Sequence, residues 1–235
     1  MEDIRTVRRS AESIAGRCGI TAMTALALLG VPTPASAATA CADVELVFAR
    51  GTFEPPGIGA TGVAFVDSLR SRVGGRSVDV YAVNYPASLD FATAADGIVD
   101  TSNRVRELSV SCPDTQIVLA GYSQGAAVIA YTTKDEVPAG YTLPAGITGP
   151  MAPSVADHVA AVALFGKPSN GFLQLVQRDA PPVTVGDRYL AKTIDLCVSQ
   201  DPVCSPAGSD HEAHSRYAVN GMVGEAAAFA AERLS

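Results

Sequence analysis

Histidine is scarce in this 235-residue chain, which has three, and tryptophan is absent. His158, His211 and His214 are the only imidazoles, no Cys-x-x-Cys pair accompanies them, and no group has the ligand spacing of a metal site. Neither a metal nor a cofactor is expected. Basic side chains are also in deficit, 17 lysines and arginines against 24 aspartates and glutamates, for a formal charge of −7. An acidic chain without a basic stripe and interleaved aromatics excludes nucleic acid as a partner. One apolar run stands out, Ile20 to Leu29, and it is too short to span a bilayer, so no stable membrane insertion is expected. No internal repeat or low-complexity block occurs elsewhere.

The surroundings of that run account for it. Arg5, Arg8, Arg9 and Arg17 precede it, and small residues and prolines lead to Ala35-Ser36-Ala37, an Ala-x-Ala cleavage pattern. Residues 1–37 read as a secretory signal peptide, cut after Ala37 or Ala40, so a secreted protein is expected, extracellular or held at the cell wall. The later cut would leave Cys41 first, but Ala38 stands where a lipid-modified cysteine usually has leucine three residues before it. Losing four basic and three acidic residues leaves 13 against 21. The remaining residues 41–235 suffice for one domain with a full core.

Cys18 goes with the leader, and Cys41, Cys112, Cys197 and Cys204 form the even set of an oxidising compartment. Four cysteines permit three pairings. The short loop between Cys197 and Cys204 favours that pair. Cys41 and Cys112 each precede a strand, and parallel neighbours starting at one edge would bring them together.

The stretch from Ile117 to Ala130 organises the rest. A β-branched apolar run ends at Gly121, Ser123 follows within two residues, and Gly125 opens an alanine-rich, helix-forming segment. Gly121-Tyr122-Ser123-Gln124-Gly125 is then the nucleophile-elbow pattern, whose glycines let strand and helix approach without a Cβ clash. The bare pentapeptide also occurs in ordinary strand-to-helix turns, so chemistry requires a base and an orienting acid as well. His158 opens the strand-like run Val159 to Phe165 and reads as structural or surface. His211 and His214 follow the last strand-like segment, three residues apart, and spacing alone does not choose between them. The acid belongs between nucleophile and histidine along the chain, where Asp201 is well placed. Asp195, Asp210 and Glu212 are neighbouring carboxylates read as solvated surface groups.

Strands are expected at 43–49, 78–83, 116–120, 159–165 and 189–196, and helices at 63–73, 90–110, 124–133 and 221–234. This alternation implies an α/β fold, a three-layer α/β/α sandwich around a central, mostly parallel five-stranded sheet. Strand interiors that read as apolar throughout agree with burial on both faces. Chemistry in such a sheet sits at the carboxyl ends of strands, where strand order reverses. Thr52 and Ser123 follow two such ends, and they are neighbours if the order is 2-1-3-4-5.

Residues 41–235 resemble the cutinases, in particular the cutinase-like carboxylesterases of actinobacteria and mycobacteria. The resemblance rests on Ala49-Arg50-Gly51-Thr52, Gly121-Tyr122-Ser123-Gln124-Gly125-Ala126, Leu164-Phe165-Gly166, Cys197 with Asp201-Pro202-Val203-Cys204, and His214-Ser215-Arg216-Tyr217, in that order. It implies an α/β-hydrolase with two disulfides and no large lid. It further implies Ser123 as nucleophile, Asp201 as acid, His214 as base through a His-x-x-Tyr pattern with Tyr217, and an oxyanion hole from the backbone N–H groups of Thr52 and Gln124. Thr52 stands where the family more often has serine. The implied enzyme is a monomeric serine esterase or lipase acting on an ester or lipid substrate with short to medium acyl chains. Phe53, Tyr85, Tyr122, Phe172 and Val183 are candidates for lining its apolar groove. An acyltransferase sharing the acyl-enzyme, and a catalytically silent binding protein, are the competing readings.

Overall fold

The computed structural model describes residues 41–139 and 142–234. The leader read in residues 1–37 lies outside them. Five strands, β1 (Val44–Ala49), β2 (Val78–Ala82), β3 (Gln116–Tyr122), β4 (Val159–Phe165) and β5 (Thr193–Leu196), form one sheet in the order β2-β1-β3-β4-β5, every pair parallel. Parallel neighbours require crossovers, and helices supply most of them. Helices α1 (Gly59–Arg70) and α7 (Met222–Ala231) cover one face, α2 (Ala94–Ser111) and α3 (Gln124–Thr132) the other. The three-layer α/β/α arrangement follows.

Alternation along the strands divides the core in two. Val47, Ile117, Leu119, Val162 and Leu164 face α2 and α3, while Leu46, Phe48, Val118, Ala163 and Phe165 face α1 and α7. Among the buried strand residues one departs from the apolar pattern. Glu45 of β1 is 4% exposed, and its carboxylate accepts two hydrogen bonds from Arg104 of α2, at 2.6 and 2.7 Å. A charge at that depth is tolerated because it is paired and hydrogen-bonded.

Several boundaries differ from the sequence reading. Helix α1 starts four residues before its apolar periodicity because the Glu54 carboxylate accepts the Ala60 N–H and closes the first turn from outside. Strand β5 is shorter at its amino end, since the apolar pair Tyr189 and Leu190 belongs to a single helical turn, α6 (Asp187–Leu190). Two further short helices, α4 (Pro153–Ala156) and α5 (Asn170–Val176), flank β4. Disulfides join Cys41 to Cys112 and Cys197 to Cys204.

Candidate active site

At the carboxyl end of β3 the chain turns into α3 within one residue. Ser123 makes the turn at φ 55° and ψ −118°, a conformation that costs a non-glycine residue about 1–3 kcal/mol. A Cβ at Gly125 would lie 2.0 Å from the Ala49 carbonyl oxygen, and one at Gly121 would lie 2.4 Å from the Gly125 oxygen. Only glycine permits so close a crossing of β1, β3 and α3. The Ser123 N–H donates to the Phe165 carbonyl of β4 at 2.8 Å, so the strained residue is also anchored. Two other non-glycine residues with positive φ, Phe53 at 66° and Ala87 at 50°, lie in the loops after β1 and β2, and the Phe53 N–H donates to the Ala87 carbonyl at 2.7 Å.

The structure brings Ser123, His214 and Asp201 into one hydrogen-bonded line. Ser123 Oγ lies 2.8 Å from His214 Nε2, and His214 Nδ1 lies 2.7 Å from Asp201 Oδ2. Asp201 is fully buried, and burial by itself would raise its carboxyl. Hydrogen bonds from His214, from the Tyr217 hydroxyl at 2.7 Å and from the Val203 N–H at 2.8 Å outweigh that and hold the carboxyl below its ordinary value. Cys204 Sγ packs 3.3 Å from the same carboxylate oxygen, so the small disulfide forms one wall of its pocket. Burial and the adjacent Asp201 charge push the Tyr217 hydroxyl far up, and it remains a donor.

The imidazole is fixed from behind as well. His214 lies on a 3₁₀ turn, 211–215, and its own carbonyl accepts the Tyr122 hydroxyl at 2.7 Å, while the two rings lie 5.1 Å apart. A Cβ at Gly166 would meet the Tyr217 ring at 2.9 Å and His214 Cε1 at 3.1 Å. The glycine of Leu164-Phe165-Gly166 is thus the clearance for the histidine. His211, by contrast, is exposed. Asp195 pairs with Lys167 at 3.2 Å, Asp210 accepts the Glu212 N–H, and Glu212 pairs with Arg216 at 3.0 Å. Asp195 is exposed at the surface, and partial desolvation by neighbouring residues still raises its carboxyl.

Residues 40–234 match the family model described as Cutinase. The chain belongs to the cutinase family. Carboxylesterase Culp1 of Mycobacterium tuberculosis is 48% identical over 219 residues, spanning 92% of this chain and 94% of that protein. Phospholipase Culp4 of the same organism is 45% identical over 214 residues, 91% of this chain and 88% of the relative. Among solved structures, Trichoderma reesei cutinase with a phosphonate inhibitor is 31% identical at a TM-score of 0.61, over 83% of this chain and 78% of that one.

In this chain Thr52 follows the carboxyl end of β1, and Gln124 opens α3, where the first amides have no intrahelical acceptor. Arg50, 5% exposed, holds the loop of Thr52 from beneath. Its guanidinium donates to the carbonyls of Glu54 at 2.8 Å and Tyr85 at 2.6 Å, and the Tyr85 hydroxyl donates back to the Arg50 carbonyl. The Glu54 carboxylate accepts the Gly51 N–H at 2.6 Å. Sequence reasoning missed Arg50, Glu54 and the bond from Tyr122; only the buried charge two residues before Thr52 was available as a signal.

The five groove candidates lie in different parts of the structure, with Phe172 half-buried on α5. Phe53, 73% exposed, and Tyr85 border an open cleft beside the Thr52 loop, Tyr122 backs the histidine, and Val183 belongs to the core. A separate apolar cavity of about 220 Å³ begins at Gln124. Among the described residues no helix is long and apolar enough to cross a membrane, and no group of three or more histidine, cysteine or acidic side chains could hold a metal ion.

Proposed function

We propose that this cutinase-family chain is a secreted carboxylic ester hydrolase that works through an acyl-enzyme on Ser123. The observation that carries the reading is the unbroken line Ser123 Oγ, His214 Nε2, His214 Nδ1, Asp201 Oδ2, at 2.8 and 2.7 Å. Ser123 Oγ attacks the ester carbonyl carbon while its proton passes to His214 Nε2. Asp201 holds the tautomer and stabilises the imidazolium. The carbonyl oxygen, now negative, accepts from the N–H groups of Thr52 and Gln124, each such donor being worth about 3–4 kcal/mol. His214 returns the proton to the departing alcohol oxygen, leaving the acyl group on Ser123. Water then repeats the sequence, with His214 as base and Ser123 as leaving group, and releases the carboxylic acid.

Support for an ester substrate with short to medium acyl chains comes from relatives named as carboxylesterase and phospholipase and from the apolar cavity at Gln124. Export rests on the leader pattern together with the two disulfides. The deciding experiment is labelling with a fluorophosphonate, paired with p-nitrophenyl butyrate turnover, in wild type and Ser123→Ala. Wild type should label at Ser123, and the variant should fold normally while losing about 10⁴-fold or more in turnover. A variant that keeps a tenth of the activity would overturn the reading.

A further inference from the structure

We infer that the cavity beginning at Gln124 is an acyl pocket, which receives the chain of the ester bound at Ser123. The inference deepens the esterase reading and rests on it. Gln124, adjacent in sequence to the nucleophile, is 1% exposed and lines the cavity. From there the space follows α3 past Ala127 to Tyr131 and Thr132, with Ala95 and Ile98 of α2 along one side and Leu173 of α5 along another. Leu143, Ile147 and Met151, from the connection between α3 and α4, line it too. The described parts of that connection, 133–139 and 142–152, have no regular structure, and loops of such length in a compact domain usually carry function. Arg106 of α2 donates to the Gly149 carbonyl at 3.1 Å and secures its far part.

Length and polarity together name the occupant. From Gln124 to Thr132, eight residues at about 1.5 Å each, α3 offers about 12 Å of wall. An extended hydrocarbon gains roughly 1.25 Å per carbon, given a C–C bond near 1.5 Å, so a chain of about ten carbons fills that length. The end away from Gln124 turns polar at Lys134 and the exposed Glu136, where a longer apolar chain would meet charge and solvent. At the catalytic end the Gln124 amide is tethered by one hydrogen bond, Nε2 to the Ser88 carbonyl at 2.9 Å. Its buried Oε1 has no hydrogen-bond partner among the described residues, so the amide can swing aside by releasing a single contact.

Two obstructing variants test this, Ala95→Phe on α2 and Ile147→Trp on the opposite wall. For p-nitrophenyl esters, wild type should show higher kcat/KM for decanoate than for butyrate, and each variant should lower the decanoate-to-butyrate ratio at least tenfold. A ratio unchanged in both variants overturns the inference. A second readout needs no turnover: Ser123→Ala should bind the fluorescent fatty acid cis-parinaric acid, and adding Ala95→Phe should weaken that binding at least tenfold. Absent binding, or binding indifferent to the obstruction, equally overturns the pocket. If wild type fails to hydrolyse butyrate, the esterase reading falls, while the fatty-acid titration still reports on the cavity.

Discussion

At the scale of single residues, the question left by spacing was which histidine serves Ser123. His211 is exposed, whereas His214 bridges Ser123 and Asp201, so His214→Ala should abolish ester turnover and His211→Ala should retain most of it. Parallel assays of the two purified variants check this, and the reverse result would transfer the role. Tyr217 acts one step further back, since its hydroxyl donates to the same Asp201 oxygen that receives His214. Because the Asp201 carboxyl is held below its ordinary value of 3.8, its contribution to stability is complete above that value and is lost as pH falls through the lowered one. Tyr217→Phe removes a donor and raises the carboxyl again. Acid unfolding should therefore begin at higher pH, and stability at pH 7 should drop by about 1.5–3 kcal/mol, the range for a hydrogen bond to a charged group. Urea unfolding at pH 7 and an acid titration followed by circular dichroism measure both; an unmoved acid midpoint would show that the hydroxyl does not tune the carboxylate.

Elements differ in how plainly the sequence announces them. The elbow was legible because its meaning is steric and local: Gly121 and Gly125 stand where any Cβ would strike backbone. The strands were legible from buried apolar runs, except where Tyr189 and Leu190 lent their apolarity to a helical turn instead of to β5. The supports behind the site were not legible, because they join distant parts of the chain through backbone carbonyls. No local pattern announces that Arg50 reaches the Tyr85 carbonyl, or that Tyr122 reaches that of His214. The loop closed by Cys197 and Cys204 lies between these cases. Its bridge spans a separation of 7, worth only about 2.5 kcal/mol in the chain-entropy model, yet it packs against the carboxylate of Asp201. Replacing both cysteines by alanine should leave a cooperatively melting protein whose kcat falls far more than its stability, since a misplacement of about 1 Å can cost roughly 100-fold in rate. Melting curves and ester kinetics on one sample decide; activity that survives a collapsed melting temperature would make the bridge a staple and nothing more.

For the whole molecule the second disulfide has the opposite character. Cys41 and Cys112 precede β1 and β3, the two central strands whose other ends carry Thr52 and Ser123. The bridge therefore lies a full strand length from the proposed chemistry, at the amino edge of the sheet. It closes a separation of 71 residues that contains β1, α1, β2 and α2, and the chain-entropy model assigns it about 4 kcal/mol. That is a large share of the 5–15 kcal/mol by which a domain is ordinarily stable. Geometry at Ser123 does not depend on it, because Gly125 packed on Ala49 and the parallel ladder from Val44 to Ala49 already fix β1 against β3. Replacing Cys41 and Cys112 by serine should thus lower the urea midpoint and melting temperature well below those of the Cys197–Cys204 double variant. Turnover per folded molecule should stay within about twofold of wild type. Active-site titration with a fluorophosphonate supplies the folded fraction, and a kcat that falls in proportion to the loss of stability would mean that the amino edge of the sheet does control the site across its length.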